Sequence, residues 1–509
     1  MLTSKIMDFI NEVEGVFPVD RWEVDGLKVW PLIRIHLYFS LFAHHHVKVT
    51  TRPRRNKYVA AVNNIVTDIF KFAYANYKDE KKCAALKESD VLFLSDGISF
   101  ASVDGYWYEK FCDPLISALS DKELSSLLIT PSSRYLVPRN TSSKFIQPGL
   151  SLAKIQGVLH SKLKPALRCD LPEFQEFINF VNDADVGISV PNLDELTRLI
   201  SCLNQYVIYY DKILDNVRPQ IAGIVCYYNI EGLAFCLACR KNDIPCFDLQ
   251  HGLQGPLHVA YGRWNKVPQD GYEMLPSLFW CWSESEASAI RQWSHAADSY
   301  HHPIVGGNPW LNLWKRNASE LTTKYDKIIT NSSKMGWQQK RVIISLQFGV
   351  DDKETLQPIL DTVAGSDSSY FWWIRLHPCM LEKRSVVKEM FDTCGNTNIN
   401  IDEATDLPLY ALLRHADLHV THSSSTVIEA ESFGVPSIIT SEYGAEFFPD
   451  QIASGWAVLA LKKDVIYEAI ARQIQRYPKR PVVDDINESP AMEYMVEVAK
   501  NKRKVMKCQ

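Results

Sequence analysis

The strongest constraint on this chain is a pattern, occurring twice, of short apolar runs separated by helix-like segments. In the first series residues 91–94, 127–129, 221–226, 246–249 and 278–282 are strand-like, with helix-like 193–214 and 232–240 between them. In the second, 342–346, 371–376, 418–421, 437–440 and 457–461 are strand-like, and 354–363, 407–415, 426–433 and 464–477 helix-like. Uninterrupted apolar runs of this length suit strands covered on both faces, and the helices supply the crossovers parallel strands need. The expected fold is α/β, with two Rossmann-like parallel-sheet domains facing a cleft, where such sheets bind ligands at their carboxyl edges. The expected boundaries are 1–80 for a helical N-terminal extension, 85–310 for the first sheet domain and 339–480 for the second. A polar stretch at 311–338 reads as a linker, and 481–509 as a basic tail or helix.

Composition narrows the class. The 509 residues carry a net charge of −5, which argues against nucleic-acid binding through bulk charge. No run approaches the roughly 20 apolar residues of a membrane span, and the first 15 residues lack a signal-peptide core. A cytosolic chain with reduced, scattered cysteines is expected. Cys236 and Cys239 form a lone C-x-x-C without the second pair a zinc site needs. In the head, Ile6, Phe9, Ile10 and Val13 share a helical face, and 59–75 repeats the pattern. Between them, His44, His45 and His46 cannot share one face, so no metal is expected there. The basic run Lys48, Arg52, Arg54, Arg55 and Lys57 reads as a solvated linker, or as contact with an anionic membrane surface.

Three segments carry candidate chemistry. In 421–436 a strand enters Ser423, Ser424 and Ser425 at the start of a helix that ends at Gly434 before Pro436. Free N–H groups at a helix start and serine hydroxyls suit a phosphate, and Glu429, one turn on, suits a nucleotide ribose. Plain N-capping accounts for one serine, not three. In 372–378, Pro378 favours extended geometry at His377, placing it at a strand's carboxyl edge to meet a phosphate or leaving group. In 247–253, His251 ends another strand beside Gly252, where it can take a proton from an acceptor hydroxyl. Asp248 is the alternative base, and Gln250, Gly252, Tyr261 and Asp96 are candidate acceptor contacts. Gln347 and Gly349, in the turn after a strand, suit a pyrophosphate or sugar-phosphate. No G-x-G-x-x-G or P-loop follows any strand, so no dinucleotide cofactor is expected, and no Asp-x-Asp carboxylate pair calls for a metal.

Leu376-His377-Pro378, the serine cluster, Glu429 and Gly434-Val435-Pro436 resemble the HP and SS motifs of two-domain GT-B glycosyltransferases. Those motifs occur in bacterial sialyltransferases and in Kdo and capsule polysaccharide transferases that use CMP-activated sugars. The resemblance, covering roughly 220–460, implies that His377 contacts the nucleotide phosphate and that Ser424 and Ser425 hold it, with Ser423 as neighbour. Gln250-His251-Gly252 resembles the histidine-glycine turn of teichoic-acid-type transferases, which implies His251 as base. An acidic pair precedes the glycine in sialyltransferases, whereas Gln250-His251 stands here, leaving CMP-Kdo, UDP-sugar and CDP-polyol donors open. The implied function is inverting, metal-independent sugar transfer from a nucleotide sugar, CMP first, to a capsule, O-antigen or lipopolysaccharide acceptor. The donor is substrate and no cofactor is implied. The acceptor is a glycan or lipid-linked, reached by peripheral contact of a cytoplasmic protein with the inner membrane. CDP-polyol phosphotransfer, nonhydrolysing UDP-sugar 2-epimerisation and a non-catalytic role in polysaccharide assembly are the alternatives.

Overall fold

A computed structural model describes residues 3–46, 83, 85–103, 105–131, 138–139, 143–163, 167–184, 186–188, 190–295, 300–315, 320–331, 339–347, 349, 352–477 and 489–507. The chain divides into two compact units, one of residues 5–309 with 488–509, the other of 310–487 with 1–4.

The first unit begins with helices α1 (Thr3–Val16) and α2 (Trp30–His46). Ile6, Ile10 and Val13 face its interior, as their spacing predicts. The head is not a separate appendage. Glu14 and Arg34, both fully buried, pair at 2.8 Å, and Arg34 donates to the carbonyls of Val259, Gly262 and Arg263. Glu14 also accepts from the Trp30 indole and the Asn265 amide. A buried charge survives only when paired and hydrogen-bonded in this way. The segment 59–75 and the basic run at 48–57 lie outside the described residues, as do the side chains of His45 and His46.

Seven strands form this unit's sheet: β1 (Val91–Leu94), β2 (Ser126–Thr130), β3 (Lys144–Phe145), β4 (Ile221–Val225), β5 (Cys246–Leu249), β6 (Leu278–Cys281) and β7 (His302–Val305). Their order is β7-β6-β5-β4-β1-β2-β3, all pairings parallel. The runs VLFL, IAGIV and LFWC are buried throughout because helices cover both faces. Helix α3 (Gln147–Leu163) packs on α4 (Leu193–Val217), which opens with an Asn192–Glu195 capping box. Its buried stripe includes Leu196, Ile200, Leu203, Val207 and Leu214. Asn229 caps α5 (Ile230–Lys241) by accepting from the Gly232 amide at 2.7 Å. The helix Pro490–Lys507 returns to this unit, with Ala491, Met495 and Ala499 in its core.

The second unit carries β8 (Lys340–Ser345), β9 (Tyr370–Arg375), β10 (Ile399–Asn400), β11 (Leu418–Thr421), β12 (Ser437–Ile439) and β13 (Ala457–Leu459), ordered β10-β9-β8-β11-β12-β13 and all parallel. Trp372, Ile374 and Val420 fill its core, each contributing about 1.5–3 kcal/mol by burial. Where the polar composition of 311–338 suggests a linker, the described residues form helices Pro309–Lys315 and Glu320–Thr330. The reason is apolar spacing: Trp310, Leu311 and Trp314, then Tyr325 and Ile329, are buried. Numbered along the chain, both sheets have the order 3-2-1-4-5-6, with a seventh strand in the first. Each therefore reverses direction between its first and fourth strands, β1/β4 and β8/β11, where open α/β sheets bind ligands. Among the described residues no helix is long and apolar enough to cross a membrane.

Candidate active site

At the β8/β11 reversal the chain leaves two paired strand ends, Ser345 and Thr421. Two residues past each, Gln347 and Ser423 meet: Gln347 Oε1 accepts from both the amide and the hydroxyl of Ser423, at 2.8 Å each. The Thr421 hydroxyl donates to the Ser345 carbonyl at 2.9 Å and accepts from the Ser424 amide at 3.3 Å. The three serines thus divide their work. Ser423 ties the two loops and Ser424 accepts from the Thr426 amide at 3.3 Å. Ser425, half-buried at the start of α6 (Thr426–Ser432), makes no side-chain cap bond. Gly349, at φ +84°, has open space around it. Behind the reversal His419 is buried between the Ser345 and Ser437 hydroxyls, at 3.2 and 3.0 Å. Burial holds its pKa down at about 3, so it is a neutral core residue.

Strand β9 ends at Arg375, so exposed His377 lies two residues beyond the strand rather than closing it. Its Nδ1 accepts from the Cys379 amide at 3.2 Å, capping a 3₁₀ turn and leaving the proton of the neutral ring on Nε2. Glu429 is held by the Tyr410 hydroxyl, which donates to its carboxylate. Arg375, unassigned by sequence reasoning, donates to the carbonyls of Ala404 and Leu407 at 2.7 and 2.5 Å. Burial lowers its pKa to about 10, with Glu429 and Asp406 pulling upward, so it stays charged at neutral pH. Gln347, the serines, Glu429 and Arg375 thus belong to loops, a strand end and a helix at one carboxyl edge, with a half-buried cation among them.

In the first unit His251 follows β5. Its Nδ1 faces the Leu249 carbonyl at 3.2 Å, and a carbonyl only accepts, so Nδ1 carries the proton. Nε2 then accepts from the Tyr228 hydroxyl at 3.0 Å. Burial holds the imidazole below its ordinary pKa, with Asp96 pulling the other way, leaving a neutral ring whose lone pair meets Tyr228. His258, 5.0 Å from the Tyr228 ring, is pushed down to about 3, chiefly by burial, with the Arg34 charge adding to it. The other sequence-derived candidates are bound into the fold. Gln250 donates to the Gly252 carbonyl at 3.0 Å and accepts from the Trp282 amide at 2.6 Å. The Tyr261 hydroxyl donates to Asp248 at 2.8 Å, both fully buried, and burial raises the Asp248 pKa well above the carboxylate range. Asp96 accepts from the amides of Ile98 and Ser99 at 2.9 and 2.8 Å, closing the Ser95-Asp96-Gly97 turn. Space around Gly252 is open.

Three further groups here escaped sequence reasoning. Tyr228 occupies the histidine lone pair. Glu109, fully buried, is raised to about 8 by burial and by Asp96. The Gln254 amide, in the loop that carries His251, is buried with neither end hydrogen-bonded among the described residues. Gln254 alone had a local signal, its place three residues after His251; the others come from segments far along the chain.

No family model matches the sequence, and no curated protein matches it. Solved structures do. The S. aureus MnaA–UDP co-structure shares 14% identity over 82% of this chain and 97% of its own, at a TM-score of 0.46. UDP-GlcNAc 2-epimerase from Neisseria meningitidis, bound to UDP-GlcNAc, shares 14% over 80% of this chain and 98% of its own, at 0.48. The wall teichoic acid polymerase TagF shares 10% over 87% of this chain and 96% of its own, at 0.42. The fold is GT-B-like: two parallel α/β sheets of the same strand order in one chain.

Proposed function

We propose that the chain is an inverting glycosyltransferase that moves a sugar from a nucleotide-activated donor, a CMP-sugar first, to a bacterial surface-polysaccharide acceptor. One observation carries this reading. At the β8/β11 reversal Gln347 fixes Ser423, so that the hydroxyls of Ser424 and Ser425 stand together at the start of α6, on the edge where a parallel sheet binds ligands. Hydroxyl donors with the Arg375 charge on the same carboxyl edge suit a phosphate rather than a cation or an apolar ring.

In the proposed step an acceptor hydroxyl displaces the Tyr228 hydroxyl at His251 Nε2 and gives up its proton there. Its oxygen forms the new bond to the anomeric carbon as the bond from that carbon to the phosphate oxygen breaks. The departing phosphate gathers charge, which fixed serine hydroxyls and the His377 ring stabilise without a metal in the step. The protein works in the cytoplasm, and the basic stretches at 48–57 and 500–507 meet the inner membrane when the acceptor is lipid-linked.

The test is incubation of the full chain with CMP-, UDP- and CDP-activated donors, with and without a polysaccharide acceptor. Acceptor-dependent release of nucleotide supports transfer. Interconversion of a UDP-sugar without acceptor supports epimerisation instead, and no consumption of any donor supports a non-catalytic role.

A further inference from the structure

The first unit has its own strand-order reversal, between β1 and β4, and a cavity of about 210 Å³ lies there. Ser95 and Asp96 follow β1 into its wall, Cys226 follows β4, Glu231 opens α5, and Gln147 and Tyr210 come from α3 and α4. We propose that this crevice binds a single sugar ring that is uncharged or carries an amine.

Size sets the first limit. Pockets for drug-sized ligands begin at roughly 300 Å³, so this cavity holds about one ring. Charge sets the second. Among the described residues the wall carries the carboxyl groups of Asp96 and Glu231 and no lysine or arginine, so a phosphate or carboxylate is disfavoured. Hydrogen bonding sets the third. Tyr210 is fully buried, and its hydroxyl has no partner among the described residues. An orphaned buried hydroxyl is costly to keep, and a ligand hydroxyl answers it. Glu231 accepts from the Tyr206 hydroxyl through Oε1 at 3.2 Å, and its Oε2 is without a partner among the described residues. Leu94, Leu150 and Ile224 supply an apolar wall for the C–H face of a ring.

Cys226, at φ +68°, adopts the left-handed backbone that favours glycine, a strain held at the cavity's edge. Asp96 both lines the cavity and acts electrostatically on His251. Resting on the transfer reading, the bound ring is the acceptor's terminal sugar, presented near the proposed base.

The experiment is saturation-transfer NMR and calorimetric titration of the full chain with glucosamine, N-acetylglucosamine and glucuronate. Wild type, Tyr210→Phe and Glu231→Gln are compared, with a CMP and UDP titration on each sample. Glucosamine or N-acetylglucosamine binds and glucuronate binds at least about tenfold more weakly. Tyr210→Phe weakens binding about fivefold without lowering Tm, and Glu231→Gln removes the preference for the amine. The proposal is overturned if none of the three sugars binds, if glucuronate binds as well as glucosamine, or if Tyr210→Phe lowers Tm and leaves binding intact. Nucleotide binding without sugar binding overturns this inference alone. Sugar binding without nucleotide binding supports it and overturns the transfer reading.

Discussion

Gln347 is where structure and proposed chemistry can be separated most cleanly. Its Oε1 accepts twice from Ser423, at 2.8 Å each, and that bond pair holds the serine loop to the end of β8. Gln347→Leu removes the acceptor and leaves a buried amide unpaired, at a cost of about 1–3 kcal/mol. The Ser423 hydroxyl retains His422 Nδ1, 3.1 Å away, so the loss falls mainly on the amide. For a unit of this size that is about 3–9 °C in Tm, at about 3 °C per kcal/mol. Gln347→Glu is the informative partner. It keeps an acceptor for both bonds, so Tm stays close to wild type, but it sets a negative charge beside the proposed phosphate. At about 6 Å and an effective dielectric of about 20, that repulsion is about 3 kcal/mol, or about a hundredfold in Kd. Calorimetric titration with CMP and UDP alongside scanning calorimetry reads both quantities. A Gln347→Glu protein that keeps its Tm and binds these nucleotides as tightly as wild type would refute the reasoning.

Other predictions address the first unit. His251→Ala abolishes turnover while nucleotide affinity stays within about twofold; an active variant removes His251 as base. Glu109 has its pKa raised from 4.5 to about 8, so the folded state holds a proton that the unfolded state has released, and stability falls as pH rises through that window. Denaturant unfolding from pH 6.5 to 8 should show wild type losing about 2 kcal/mol relative to Glu109→Gln, from about 1.4 kcal/mol per pH unit. Parallel curves contradict the assignment. Half-buried His258 and buried His419, both held down at about 3, act oppositely and cost stability as pH falls below about 6.5. Arg34→Met strands the Glu14 carboxylate and should cost about 3–5 kcal/mol in denaturant unfolding, whereas the double change with Glu14→Gln costs less than the sum. A loss under about 1 kcal/mol for Arg34→Met contradicts the buried pair.

The parallel strands were legible because burial on both faces writes an uninterrupted apolar run such as VLFL or IAGIV. The serine cluster was legible because three hydroxyls at a strand-to-helix junction exceed one cap. Its division of labour was not, since Ser423 depends on Gln347, 76 positions away. Tyr228 and Arg375 escaped for the same reason, their partners lying 23 to 32 positions away, and Glu109 escaped because its character comes from burial, which residue spacing does not encode. The helices at Pro309–Lys315 and Glu320–Thr330 escaped because polar residues on their outer faces masked the buried Trp310, Trp314, Tyr325 and Ile329. The antiparallel pairing of Phe100–Val103 with Tyr106–Glu109 was likewise unread, since Ser102 and Gly105 break its apolar pattern. The Glu14–Arg34 pair makes the head part of the first unit, a connection spanning 225 positions to the Val259 carbonyl.

The central claim is that the β8/β11 reversal holds a nucleotide phosphate, and isothermal titration of CMP, UDP and CDP into wild type and Ser425→Ala tests it most directly. Ser425 makes no side-chain cap bond, so its hydroxyl can be removed without uncapping α6. At least one nucleotide is predicted to bind wild type, and Ser425→Ala to bind it about tenfold more weakly, the worth of one charge-assisted hydrogen bond. Absence of binding by all three nucleotides, or identical affinity in the two proteins, would contradict the claim.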